Sequence, residues 1–147
     1  MKYLLDTNVY IEACRSNERR SQFGKTFLPL LPFTFLSAIV TYELSVNAAD
    51  QNTRELIADL VGRLDRVGRT VTPIFSDWIE ASEIITRIAQ SDKSWRSKLP
   101  QLQNDILIAL SARRIGATVL TYNREDFLLI RRHKHFSLHV LKLEKEK

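Results

Sequence analysis

Four acidic residues stand where a chain can gather charge for chemistry: Asp6, Glu43, Asp105 and Asp126. Asp6 directly follows the apolar run Met1–Leu5. Glu43 shares a helical stripe with Ile39, Val46 and Asn47, which directs it inward or along a cleft. Asp105 shares a stripe with Ile108, Ala109, Ala112 and Ile115, and a helix start at Asn104 favours its ionised form. The run Thr121-Tyr122-Asn123-Arg124-Glu125-Asp126 adds a hydroxyl, an amide and two acids near a strand end. Each residue also has a purely structural role open to it. Asp6 can cap the helix after it, and Glu43 can pair with a structural arginine. Asp105 can be a helix-start acid beside an Asn104 cap. Asn123 can be turn chemistry and Asp126 a surface acid.

Their conjunction points to a metal. Carboxylates held within a few ångströms repel and raise one another's pKa, and a divalent cation resolves that conflict. One cysteine, Cys14, and three histidines near the C-terminus, His133, His135 and His139, make no zinc cluster. Hard oxygen donors instead suit Mg²⁺ or Mn²⁺. Asp6, Glu43 and Asp105 are the candidate ligands, with Asn123 or Asp126 completing the set. Thr7, Asn8 and Thr121 are candidate supporting residues.

The elements that must position these side chains alternate between strand and helix. Strands are expected at Met1–Leu5, Phe33–Leu36, Thr70–Ile74, Thr118–Thr121 and Ser137–Leu143. Helices are expected at Thr7–Cys14, Gln22–Leu31, Ala38–Ala49, Thr53–Val67, Ser76–Ala89, Asn104–Ile115 and Arg124–Ile130. Ser91–Gln101 reads as a polar loop, and the tail from Glu144 as charged and frayed. The alternation argues for one α/β domain over residues 1–147 with a mostly parallel sheet. Such sheets carry their sites at the carboxyl ends of the strands, where the acids fall.

Composition is that of a globular protein, at 44% hydrophobic and 27% charged residues. The longest apolar stretch, from Phe27 to Val40, is broken by prolines and too short to span a bilayer. No targeting segment is read at the N-terminus, and a cytoplasmic location without membrane contact is expected. One cysteine permits no internal disulfide. Net charge is +5, with a pI near 9.6. The basic clusters, including Arg131-Arg132 and Lys93 with Arg96, are read either as RNA-binding or as solvated helix faces. Trp95, between two basic residues, can stack on a base or pack beneath a loop, and Trp78 is expected in a core or interface. The histidines are expected to be solvated or to face RNA. Clustered acids within basic surroundings match metal-assisted phosphodiester hydrolysis.

Four segments resemble the PIN-domain family, particularly VapC-type toxins of toxin–antitoxin pairs. Leu4-Leu5-Asp6-Thr7-Asn8-Val9 is similar to the family's opening block. Ser37-Ala38-Ile39-Val40-Thr41-Tyr42-Glu43-Leu44 resembles the second, Asn104-Asp105-Ile106-Leu107-Ile108-Ala109 the third, and Thr121 to Phe127 the fourth. The blocks occur in family order over nearly the whole chain. The resemblance implies a three-layer α/β/α fold and a Mg²⁺- or Mn²⁺-dependent RNA endonuclease. It also implies a homodimer and a cognate antitoxin. The chain departs from the pattern at Asn123, where many relatives carry Asp. It also departs after Glu43, where Ser45-Val46-Asn47 replaces an early Gly, and at Tyr122, where Arg is frequent.

Other classes fit less well. A haloacid-dehalogenase-type phosphatase needs a second Asp where this chain has Asn8. A receiver domain needs a Lys after a late strand, where Tyr122-Asn123-Arg124 stand. No glycine cluster supports a dinucleotide or P-loop site. Two rivals keep the fold. One is an RNA-processing nuclease outside a toxin system. The other is a module that binds RNA or protein without cutting.

Overall fold

The computed structural model describes residues 1–143; the expectation for the tail from Glu144 lies outside them. Five strands form one parallel sheet: β1 (Lys2–Leu5), β2 (Thr34–Ser37), β3 (Thr70–Val71), β4 (Ala117–Thr121) and β5 (Leu138–Val140). Their order is β3-β2-β1-β4-β5, and every described pairing is parallel. Parallel strands need long crossovers, and helices supply them on the sheet's faces. These are α1 (Thr7–Ala13), α2 (Asn17–Phe27), α3 (Ala38–Asn47), α4 (Gln51–Arg66), α5 (Phe75–Ser91), α6 (Leu99–Ile115) and α7 (Arg124–His133). The result is the expected three-layer α/β/α arrangement. No described helix is long and apolar enough to cross a membrane.

The chain steps outward from β1 to β2 and β3, then returns to the other side of β1 for β4 and β5. The reversal falls between β1 and β4, paired over Lys2↔Ala117 to Leu5↔Leu120. At such a switch point the flanking loops diverge and leave a crevice at the carboxyl edge. Asp6 directly follows β1 and Thr121 ends β4, so both border it.

Burial fixes this geometry. Leu4, Leu36 and Val119 fill the strand layer, and Ile84, Ile88, Phe127 and Ile130 close over it. Helix α6 is buried around its whole circumference from Ile106 to Ala112. A helix apolar on all sides belongs in a core rather than on a surface.

Several element boundaries differ from expectation for local reasons. The second helix begins at Asn17, not Gln22, because Ser16 caps it by accepting from the Arg19 amide at 3.1 Å. It ends at Phe27. Pro29 and Pro32 turn the next residues into a 3-10 segment, Leu28–Phe33. Pro73 cannot donate to a ladder, so β3 stops at Val71. Helix α5 starts at Phe75, where the Asp77 carboxylate accepts from the Ile74 amide at 3.0 Å. Trp78 on that helix is 46% exposed, so it is not a core residue.

The largest difference concerns Ser91–Gln101. Helix α5 runs to Ser91, a 3-10 turn occupies Lys93–Lys98, and α6 begins at Leu99. Pro100 lies in the first turn of α6, where its missing N–H costs nothing. Asp105 is therefore inside the helix, beyond its first turn. Neither an Asn104 cap nor a helix terminus stabilises its charge. At the far end, Gly116 stops α6 with φ 71°, a conformation that favours glycine.

Candidate active site

Asp6 leaves β1 in extended conformation and caps α1, its Oδ1 accepting from the Thr7 amide at 2.8 Å. The capping reading is thus correct, and it leaves Oδ2 for a second partner. Thr121 Oγ1 donates to that oxygen at 2.8 Å. The same hydroxyl accepts from the Asn123 amide at 2.9 Å and from Asn8 Nδ2 at 3.3 Å. Asn8 Oδ1 in turn accepts from the Tyr122 amide at 3.2 Å. The ends of β1 and β4 are therefore joined by one buried hydroxyl and one amide.

Glu43 arrives from β2 through a cap. Ser37 is fully buried at the end of that strand, and its Oγ accepts from the Ile39 amide at 3.1 Å. This starts α3 and swings Glu43 toward Asp6. Thr7 Oγ1 donates to Glu43 Oε1 at 2.9 Å. The core stripe of α3 is Val40 and Leu44, whereas Val46 and Asn47 are exposed. Glu43 thus lines the border of the crevice rather than a stripe leading inward.

Asp105 comes from α6 and is 1% exposed. Gln101, one turn earlier, donates to its Oδ1 at 3.3 Å. Asn123 Nδ2 reaches Asp105 Oδ2 at 3.5 Å and Asp126 Oδ2 at 2.9 Å. Its Oδ1 accepts from the Asp126 amide at 3.4 Å as the cap of α7. Asn123 therefore serves as the donor between two acids, and Asp126 is buried beside it.

Electrostatics ties the four acids together. Burial pushes the Asp105 carboxyl up to about 9, with further upward pressure from Asp6, Asp126 and Glu43. Burial also raises Asp6, to about 6; hydrogen bonds from Thr121 and Thr7 oppose the rise, and Glu43 and Asp126 add to it. Asp6 rises less because its charge is better solvated by donors.

Among the described residues no three acidic, histidine or cysteine side chains are arranged as a metal cage. The carboxylates are held by threonine, asparagine and glutamine donors instead. The donor set nevertheless fits a hard divalent cation. It is made of carboxylate oxygens, and burial, with repulsion from the other acids, leaves Asp105 most in need of positive charge.

Gln101 and the capping residue Ser37 complete the surroundings of the acids. Gln101 was hidden by reading Pro100 as a loop residue; its i−4 spacing to Asp105 becomes visible once α6 starts at Leu99. The basic candidates lie elsewhere. Arg131 and Arg132 are exposed in the last turn of α7. Arg131 stands five positions after Asp126, about 7.5 Å further along the axis. Lys93 and Arg96 line a separate 660 Å³ cavity with Gln103. Gln103 and Asp105 point about 200° apart around α6, so that cavity faces away from the acids. Trp95 packs partly buried, with Lys98 Nζ 5.4 Å from its ring centre. Burial, with Arg87 and Arg132 nearby, lowers the His133 pKa.

Residues 3–132 match the model of the PIN domain, and the chain belongs to that family. Its members are generally nucleases. No curated protein sequence matches the chain. The fold is similar to several solved structures. One is VapBC2 from Rickettsia felis bound to a promoter DNA fragment, with a TM-score of 0.59, 21% identity, and coverage of 97% of this chain and 100% of that one. Another is DNA-bound VapBC from Salmonella typhimurium, with a TM-score of 0.60, 21% identity and coverage of 95% and 98%. FitAcB from Neisseria gonorrhoeae matches with a TM-score of 0.57, 20% identity and coverage of 92% and 95%.

Proposed function

We propose that the chain is a Mg²⁺- or Mn²⁺-dependent endoribonuclease, one domain over residues 1–147, and the cytoplasmic toxin of a toxin–antitoxin pair. The observation that carries this reading is the meeting of Asp6, Glu43, Asp105 and Asp126 at one switch point, with charges in conflict. Carboxyls perturbed by burial and by one another, as Asp105 is, cluster at functional sites.

Asp6, Glu43 and Asp105 are the residues that would hold the cation, with Asp126 as a fourth acid acting through water. When bound, a divalent ion lowers the pKa of water and offsets charge on a phosphoryl transition state. The chain's own residues prepare for this. Thr121 fixes Asp6 and Thr7 fixes Glu43, so neither carboxylate has to be reoriented when RNA arrives. Asn123 ties Asp105 and Asp126 together by donating to both. Arg131, Arg132, Lys93 and Arg96 lie away from the acids and serve RNA at a distance, through its phosphates.

Partner binding has its own surface. An apolar groove of 430 Å³ is lined by Tyr10, Ile11, Phe23, Leu56 and Leu60, among others. The buried Tyr10 hydroxyl has no hydrogen-bond partner among the described residues, and burial raises its pKa. We assign this groove to an apolar segment of the antitoxin, since the VapBC and FitAB structures that share the fold are complexes. The homodimer belongs to the same reading.

The test is incubation with total RNA in Mg²⁺ or Mn²⁺, with EDTA in parallel. Cleavage with metal and none with EDTA is expected. RNA left intact under all conditions, yet retained on the protein, favours the binding module.

A further inference from the structure

At the same carboxyl edge of the sheet, just past the ends of β4 and β5, lies a third cavity, of about 400 Å³. Its walls include Val9, Phe23, Phe27 and Tyr122. Val9 follows Asn8, and Tyr122 lies between Thr121 and Asn123. The wall is thus continuous in sequence with the polar network that fixes Asp6. The cavity is of a size that takes small organic molecules.

Its charges are mixed in an informative way. Arg19, Lys25 and Lys142 line it, and so does Glu12, which is only 9% exposed. Glu12 Oε2 pairs with Arg15 at 3.2 Å, and Oε1 stands 3.6 Å from Arg19. A carboxylate has about four acceptor positions, so two ion pairs leave it capacity to accept more. A site for phosphate alone has no use for a buried acid, which repels the ligand. An acid within a basic surround suits a ligand with hydrogen-bond donors at one end and phosphate at the other. A nucleotide has that form.

The base can be narrowed by chemistry. An ionised carboxylate only accepts. Guanine is the RNA base whose Watson–Crick edge presents two adjacent donors, N1–H and the N2 amino group. Adenine and cytosine place a ring-nitrogen acceptor beside their single amino donor, and uracil flanks its one N–H with two carbonyls. Unstacked RNA bases are read in this way, through edge hydrogen bonds and aromatic stacking.

We propose that this cavity is a guanine-reading subsite for a nucleotide next to the cut bond, with Glu12 as the specificity-determining residue. The proposal rests on the nuclease reading above. Glu12 accepts from N1–H and the N2 amino group, Tyr122 and Phe23 offer ring surface, and Lys25 and Lys142 hold phosphate.

The test uses the full chain and two readouts. The first is binding of GMP, IMP and AMP in EDTA, followed by calorimetry or chemical-shift titration. GMP is expected to bind at least tenfold tighter than AMP, with IMP, which lacks the N2 amino group, between them. In Glu12→Gln, GMP affinity should fall to the AMP level while AMP affinity holds. Lys25→Ala should weaken GMP and AMP alike, several-fold. The GMP–IMP–AMP series in wild type needs no variant and stands even where Glu12→Gln fails to fold. The second readout is the sequence at cut sites in a random RNA pool. A guanine bias that disappears in Glu12→Gln supports the subsite. Equal binding of GMP and AMP to wild type overturns it, as does a guanine bias unchanged in Glu12→Gln. RNA cut with no base bias removes the subsite and leaves the nuclease. Glu12-dependent GMP binding without any RNA cleavage removes the nuclease reading and leaves the nucleotide site.

Discussion

Asp105 is the residue under most electrostatic stress, and its stress has a measurable sign. Its folded-state pKa of about 9 lies above the ordinary carboxyl value of 3.8. A raised carboxyl binds its proton more tightly in the folded state than in the unfolded chain. The stability this provides is fully present below the unfolded pKa and is lost as pH rises through the folded one. Asp6, raised to about 6, adds to the loss over the lower part of that range. Without metal, the melting temperature should therefore fall from pH 5 toward pH 9. Asp105→Asn should flatten this slope and stabilise the metal-free protein at pH 8 by about 1–3 kcal/mol, while abolishing cleavage. Thermal melts in EDTA across that range check it. A wild-type curve that rises with pH contradicts the assignment.

At the scale of elements, the end of β4 is the clamp. Thr121 is fully buried, and its hydroxyl meets Asp6, Asn8 and Asn123 at once. Thr121→Val keeps the side-chain shape and leaves these groups short of a partner, at a cost of about 1–3 kcal/mol. Cleavage should fall further than stability, because Asp6 loses its orientation. Single-turnover rates beside melts separate the two effects. Much of this was legible in the sequence. Strand ends expected at Leu5, Leu36 and Thr121 mark themselves by an apolar run followed by a capping or polar residue. The parallel sheet then brings Asp6, Glu43 and Thr121 to one edge. What stayed hidden depends on contacts across the chain. The start of α6 was masked by a polar segment, so Gln101 and the interior position of Asp105 were missed. Glu12 gives no signal, because its burial comes from the packing of α2 against α1, and the Ser16 cap that starts α2 at Asn17 lies outside the expected helix Gln22–Leu31. Arg131 and Arg132 were read from charge alone, which carries no information on which end of a helix faces the site.

At the scale of the whole molecule, the acids should couple to stability through the cation. A ligand that binds only the folded state stabilises by mass action, about 2.7 kcal/mol at a hundredfold excess over Kd. Mg²⁺ or Mn²⁺ should raise the melting temperature of wild type, and Asp6→Asn should lose most of that rise. A full shift in the variant counts against Asp6 as a ligand. The groove makes a separate prediction. Leu56 is 45% exposed on its wall, so Leu56→Glu should leave the fold and RNA cleavage intact. It should weaken antitoxin binding at least tenfold, read by calorimetry with the co-expressed partner. Unchanged affinity places the partner elsewhere.

The most direct test of the central claim compares wild type with Glu43→Gln. The variant keeps the side chain's size and its capacity to meet Thr7, and removes one negative charge from the crevice. Single-turnover RNA cleavage in Mg²⁺ is measured beside an RNA-binding isotherm for both proteins. If Glu43 helps to hold the cation that activates water, cleavage falls by orders of magnitude while RNA affinity holds or rises. Equal cleavage by the two proteins contradicts the metal-nuclease account and leaves a binding module in its place.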